Sequence, residues 1–468
     1  MRHHHAPLFQ TLKQFNDKDP ISFHVPGHKN GLLFPNDARK FFDPILKLDM
    51  TELPGLDDLH APTGAIAEAE ELAANFFQAD HTFSLVGGST AGNLAMILAT
   101  CSVGDKVIVQ RNSHKSVVNG LELSGARPAF IAPEYDHTVN RYTSTSLGTL
   151  REALHEHSDA KAVVLTYPDY FGKTYAIKEM IDIAHAYQIP VLVDEAHGVH
   201  FSLGAPFPSS ALDLGADVVV QSAHKMAPAM TMASFLHMKS SLVPKERVAH
   251  YLQMIQSSSP SYPLMASLDI ARAFLATLKA EEIDKIIRSA TKVKGILGAS
   301  DHWEIAPTDD PLKITLHMKN GISAKDTATL FEKQNIYPEL VTHNQILFIH
   351  GLTPFQKFHK LKKAVQNTGD QLKNMDNRAT IEVTKLFTQD IQELALSYQE
   401  MNQLKSKQVP FHEGIGQIAA EAVIPYPPGI PVILKGEKIT RAHVEIIENL
   451  IERGIKIQQR DKGIRIYT

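Results

Sequence analysis

The chain has 468 residues, 43% of them hydrophobic and 21% charged, which exceeds one small core and predicts two or three globular domains. A near-balance of 47 basic and 51 acidic residues, net −4 and without a long basic run, argues against nucleic acid as a partner. The single cysteine, Cys101, rules out a disulfide scaffold and suits the cytoplasm, and no apolar run is long enough for a spanning helix or a secretory signal.

Residues 1–60 read as an arm with loops, because "SFHVPGHKNG" and "ELPGLDDLHAPTG" are rich in helix breakers. From there helix and strand signals alternate. "AIAEAEELAANFF" predicts a helix, "TFSLVGG" a strand running into glycines, "TAGNLAMILATCS" a helix and "KVIVQRN" a strand. "PAFIAPEY", "AKAVVLTYP", "IPVLVDEAH" and "ADVVVQSAH" are further short apolar runs, with the helical "KEMIDIAHAYQ" among them. Continuous apolar strands between helices predict an α/β domain with a mainly parallel sheet buried on both faces, over 61–285. A smaller α+β domain is expected over 286–375, with strands "PLKITLHMKNG" and "QILFIHGL" around the helix "AKDTATLFEKQN". A last α+β unit is expected over 376–468. It holds a long helix at "TIEVTKLFTQDIQELALSYQEMNQLK", the block "YPPGIPVILKGE", the helix "TRAHVEIIENLIERG" and the strand "IKIQQRDKGIRIYT".

"VLVDEAHGVH" has the spelling of a helicase ATPase box, but its required phosphate loop is missing. In "YPDYFGKTYA" the first glycine of that loop falls on Tyr167, and Pro168 removes a backbone donor from the cradle. "VGGSTAGN" is no dinucleotide fingerprint either, since its second glycine falls on Ser89. The strand ends fit another chemistry. Asp194 closes one apolar strand; Ser222, His224 and Lys225 close the next; and Ser89 and Thr90 open a helix after glycines. A carboxylate, a lysine and an anion cup at the ends of one sheet suit pyridoxal 5′-phosphate. Lys225 would form the Schiff base, Asp194 would keep the pyridine nitrogen protonated, and the ring would then draw electrons from the substrate α-carbon. Ser89, Thr90, Ser222 and His224 would hold the phosphate, and His114 in "VQRNSHKSVVNG" would stack on the ring.

At these residues the sequence resembles the Orn/Lys/Arg decarboxylases, a fold-type I pyridoxal-phosphate family, over nearly its whole length. Six blocks carry the likeness in order: "FHVPGHKNG", "TELPGLDDLHAPTGAI", "GGSTAGN", "RNSHKS", "SAHKMAPAM" with "SSSPSYPLMASLD", and "EAVIPYPPGIP". The resemblance implies an aspartate-aminotransferase-like fold and decarboxylation of a basic L-amino acid, with arginine favoured over lysine or ornithine. It implies Lys225 as the Schiff-base lysine, Asp194 as the pyridinium partner and His114 as the stacking ring. It also implies that Ser257 reaches the phosphate of a neighbouring subunit, so a homodimer or higher homo-oligomer is expected. Two departures stand out: Met232 replaces the usual glutamine after the lysine signature, and His197 stands where some members carry tryptophan. Long members begin with a receiver-like wing that drives higher assembly. This sequence reaches H-x-P-G-H almost at once, which disfavours a decamer.

A basic substrate calls for distal acids, and Glu52, Asp57, Asp58 and Glu421 are the candidates. Transamination would use the same Asp and Lys but would retain the substrate α-carboxylate on an arginine, with Arg272, Arg288, Arg378, Arg441, Arg453, Arg460 and Arg465 available. A catalytically silent regulatory homologue is the other alternative, and the presence of Lys225 and Asp194 speaks against it. No metal is expected.

Overall fold

The computed structural model describes residues 2–373, 387, 389–425, 430–452, 457 and 463–468. The chain forms two compact units, one of residues 1–100 and 177–279, the other of residues 101–176 and 280–468.

In the first unit four strands lie in the order His81–Leu85, Ser234–Met238, Val218–Gln221, Val191–Asp194. Val191–Asp194 and Val218–Gln221 run parallel, with Asp194 opposite Val220. Every residue of both is buried, as their continuous Val/Leu runs predict. Ser234–Met238 runs antiparallel to both of its neighbours, pairing Phe235 with Gln221 and Ser234 with Leu85. The helix Gly88–Thr100 packs on this sheet through Gly92. A Cβ there would come within 2.7 Å of Val220 Cγ1 and 2.8 Å of Leu85 Cδ1, so only glycine lets the helix approach this closely.

The N-terminal sixty residues carry more regular structure than their breaker content predicts. Helices span Pro7–Asn16, with proline in its first turn, and Asn36–Leu46. Leu8 and Leu12 of the first helix join Met50, Leu56, Ile66 and Tyr262 in one apolar cluster. Arg272 pins this arm: its guanidinium donates to His3 O at 2.7 Å, to His5 O at 2.6 Å and to Asp269 Oδ1 at 2.6 Å. The other Asp269 oxygen accepts Leu8 N at 3.0 Å.

In the second unit the order is Val163–Thr166, Lys106–Gln110, Arg127–Ile131, Ile391–Glu393, the first three parallel and the last antiparallel. A separate antiparallel sheet is made of Trp303–Ala306, Lys313–Met318, Gln345–Ile349 and Leu340–Val341. It packs on the helices Ala280–Leu297, Ala324–Glu332 and Phe358–Leu372 around Trp303 and Phe331. A smaller cluster around Ile433, Ile447 and Ile464 gathers near the strand pair Ser406–Val409 and Ile464–Tyr467 and the helix Arg441–Glu452.

The α/β architecture is as expected: each unit carries parallel strands with antiparallel strands beside them. One expected element differs. The long helix over 380–405 is, in its described part, the strand Ile391–Glu393 followed by a short helix, Tyr398–Met401. Ser397 and Glu400 form a capping box there, which starts a new helix where a continuous one was expected. The block "YPPG" and residues 374–386 lie outside the described residues, as do Arg378, Arg453 and Arg460. No helix among the described residues is long and apolar enough to cross a membrane.

Candidate active site

The first unit collects seven of the expected residues at the ends of its strands. Asp194, 3% exposed, ends its strand; Oδ2 accepts from Asn93 Nδ2 at 2.8 Å and Oδ1 from Ala196 N at 3.2 Å. Three residues on, His197 is 5% exposed and places Nε2 3.0 Å from Lys225 Nζ. Lys225 sits in the single helical turn Ala223–Met226 that follows Val218–Gln221, so the amine and the carboxylate belong to adjacent parallel strands. Ser222, which precedes this turn, donates to Ser89 Oγ at 2.8 Å. Ser89 lies in the first turn of Gly88–Thr100, where no acidic residue is present and the free backbone N–H groups favour an anion. Thr90, in the same turn, is exposed. His224 bonds through Nδ1 to Ala233 O at 3.0 Å, and burial, together with neighbouring Lys225, keeps its imidazole below the ordinary histidine range.

Ser257 lies elsewhere in the same unit, exposed on a loop. Its carbonyl accepts His60 Nε2 at 2.9 Å, and its hydroxyl accepts Ser259 N at 3.2 Å. His114 belongs to the second unit. It caps the helix Lys115–Ser124, its Nδ1 accepting Ser116 N at 3.2 Å, which fixes the ring at the end of a strand.

The seven gathered residues form a two-ended receptor. Hydroxyls at a helix N-terminus, next to a glycine at φ +73° (Gly88), suit a phosphate. The buried carboxylate suits a cationic ring nitrogen, and the half-buried amine suits an aldehyde carbon.

Beside the site runs a polar chain that the sequence did not reveal. Glu195, fully buried, accepts Ala211 N at 2.7 Å, Ser210 Oγ at 2.8 Å and Gln221 Nε2 at 2.5 Å. Gln221 Oε1 meets His237 Nε2 at 3.1 Å, and His237 Nδ1 meets Thr82 Oγ1 at 2.8 Å. Burial pushes the Glu195 carboxyl up to about 8 and the His237 imidazole down to about 3, so the chain is neutral. The second letter of "DEAH" is thus a buried brace.

The distal acids separate into different roles. Asp57 is a cap. It accepts the backbone N–H groups of Asp58, Thr63, Gly64, Ile66 and Ala67 at 2.8–3.2 Å. Burial pushes its carboxyl up, but these donors outweigh it and hold the group low. Asp58 accepts His60 N at 2.8 Å, and Glu421 accepts Arg465 N at 3.0 Å. Glu52 takes the Thr51 hydroxyl on Oε2, while its Oε1 is buried without a partner among the described residues. Of the arginines a transaminase could use, Arg272 is fully buried in the arm pin, Arg465 belongs to the C-terminal strand pair, and Arg288 and Arg441 are exposed. The phosphate-loop decoy is likewise occupied: Lys173 N donates to Asp169 Oδ1, and Thr174 donates through N and Oγ1 to Asp309 Oδ2.

Comparison with known proteins gives the family and the fold. The family profile "Orn/Lys/Arg decarboxylase, major domain" matches residues 6–315, and that of the family's C-terminal domain matches 378–454. A Bacillus subtilis protein known as uncharacterized protein YaaO is 43% identical over 99% of this chain and 98% of its own length. The arginine decarboxylase of Bacillus subtilis is 36% identical over 98% of this chain and 96% of its own. Among solved structures, the constitutive lysine decarboxylase of E. coli superposes with a TM-score of 0.80 at 19% identity, covering 99% of this chain and 82% of that one. That likeness confirms the fold-type I architecture.

Proposed function

The chain belongs to the Orn/Lys/Arg decarboxylase family and is a decarboxylase of basic amino acids, and from that premise we propose that it converts L-arginine to its amine and CO2 with pyridoxal 5′-phosphate held by Lys225 and Asp194. The observation that carries the proposal is the pairing of adjacent parallel strands, one ending in buried Asp194, the other leading into Lys225 beside the Ser89–Ser222 hydroxyl pair. Arginine is favoured because four relatives named arginine decarboxylase are 35–37% identical over 93–98% of this chain, against 24% and 22% for two named lysine decarboxylases, although a biodegradative arginine decarboxylase is 28% identical over 60% of it.

When bound, the cofactor supplies an electron-poor ring that takes up the electron pair of the breaking Cα–carboxyl bond. Asp194 would hold the ring nitrogen and keep its proton in place. Ser89, Thr90, Ser222 and His224 would hold the phosphate, and His114 would serve the ring face as the family resemblance implies. The Lys225 amine would anchor the cofactor and would return a proton to Cα. His197, 3.0 Å from that amine, exchanges the proton with it. Incubation with carboxyl-labelled arginine, lysine and ornithine tests the reading. Labelled CO2 and amine from arginine are expected; a keto acid without CO2 would point to transamination.

Glu52 is assigned to the distal cation of the substrate, because its unpartnered, buried Oε1 is an acceptor suited to a guanidinium. Glu52→Gln is expected to raise KM for arginine about 10- to 100-fold, the loss of one charge-assisted bond, while kcat falls far less. An unchanged KM in steady-state kinetics would remove Glu52 from this role.

A second copy of the chain is the proposed partner. Ile21, Phe23, Val25, Leu32, Leu33, Phe41 and Phe42 are exposed within one short N-terminal stretch, Phe23 at 93%, and exposed apolar side chains concentrated in this way suit a protein–protein interface. With Ser257 reaching the neighbour's phosphate, the dimer would complete each site. The double variant Phe23→Asp, Phe41→Asp is expected to sediment at half the mass of the unaltered protein and to lose most of its activity. A full-mass, fully active variant would refute this interface.

A further inference from the structure

Asn93 sits on the helix whose first turn carries Ser89, four residues further along and therefore on the same face. It is fully buried, and its amide donates to Asp194 Oδ2 at 2.8 Å. The reach depends on Gly92, which brings this stretch of helix against Val220, the residue paired with Asp194. Resting on the cofactor reading above, we propose that Asn93 is a positioning residue for the cofactor: it fixes the plane of the Asp194 carboxylate so that one oxygen faces the ring nitrogen.

The physical argument is orientational. A carboxylate at a strand end rotates about its Cβ–Cγ bond unless donors hold it. Asp194 has Ala196 N on Oδ1 at 3.2 Å and the Asn93 amide on Oδ2 at 2.8 Å, so the amide is the shorter of the two restraints. Both donors are neutral, so they orient the carboxylate without cancelling the charge that attracts a pyridinium. The same helix delivers Ser89, so a shift of that helix moves the phosphate cup and the restraint on Asp194 together. Gly92–Asn93 therefore couples the two ends of the receptor.

The test uses the full-length protein stripped of cofactor and titrated with pyridoxal 5′-phosphate, read by the visible absorbance of the bound cofactor rather than by turnover. Asn93→Ala is expected to weaken cofactor affinity about 10- to 100-fold, the cost of losing one hydrogen bond to a charged group, in a stripped protein that still melts in one cooperative transition. Asn93→Leu keeps the volume but removes the donor, and its affinity is expected to fall as far as that of Asn93→Ala. A purely packing role for Asn93 would leave the Leu variant close to the unaltered affinity. Cofactor affinities within about twofold of the unaltered protein in both variants would overturn the inference and leave the decarboxylase reading standing. Absence of a cofactor band in the unaltered protein would overturn both.

Discussion

Lys225→Ala is expected to abolish decarboxylation and the visible cofactor band together. The amine sits in a single helical turn at a strand end, with His197 Nε2 3.0 Å away and Asp194 on the neighbouring parallel strand. Removing it takes away both the covalent anchor and the group assigned to return the proton to Cα. Proton transfer by a positioned side chain alone is worth about 10²- to 10⁴-fold, and loss of the anchor adds to that. Lys225→Arg is the sharper control. It restores the positive charge, but a guanidinium stays protonated and cannot act as the nucleophile, so it should be equally inactive. Absorbance spectra and CO2 release read both variants, and measurable turnover with a retained band in either would refute the assignment of Lys225.

Arg272→Ala is expected to cause the largest loss of stability, about 3–5 kcal/mol, because it strands a buried carboxylate. Both side chains of the Arg272–Asp269 pair are at most 1% exposed. Burial pushes the Asp269 carboxyl up, while the guanidinium and the Leu8 and Phe9 N–H groups pull it down. Without Arg272 the acid must take up a proton or pull in water, and His3 and His5 lose the donors on their carbonyls. The arm that packs Leu8 and Leu12 should then release first. A lower urea midpoint with early proteolytic cutting before residue 20 is the expected result. An unchanged midpoint would show that the pin contributes little.

The legible parts of the molecule were those set by local pattern. The helix Ala65–Phe77 and the strands Val191–Asp194 and Val218–Gln221 match their apolar runs because period and burial agree there. The gathering of Asp194, Ser222, His224 and Lys225 followed from one rule about the ends of parallel strands. What escaped depends on partners distant in sequence. The strand Ser234–Met238 was missed because His237 interrupts its apolar run, and only in the fold does Gln221 satisfy that histidine. Asp57 looked like a substrate acid because a single sequence does not show five N–H groups converging on one carboxylate. Asn93 had a visible signal, its spacing of four from Ser89, but the meaning of that spacing depends on the packing at Gly92.

The Ser89–Ser222 contact joins residues 133 positions apart, and the strand Ser234–Met238 lies between the strands that lead to them. That middle strand comes last in sequence, so the receptor for the phosphate is assembled only after the chain through residue 238 has folded. On the proposed reading, cofactor loading would be a late, post-assembly event, and a ligand that recognises the finished sheet but not its precursors shifts the folding equilibrium by mass action. Vitamin supply would then govern how much of this protein survives in a cell, as well as how much of it works.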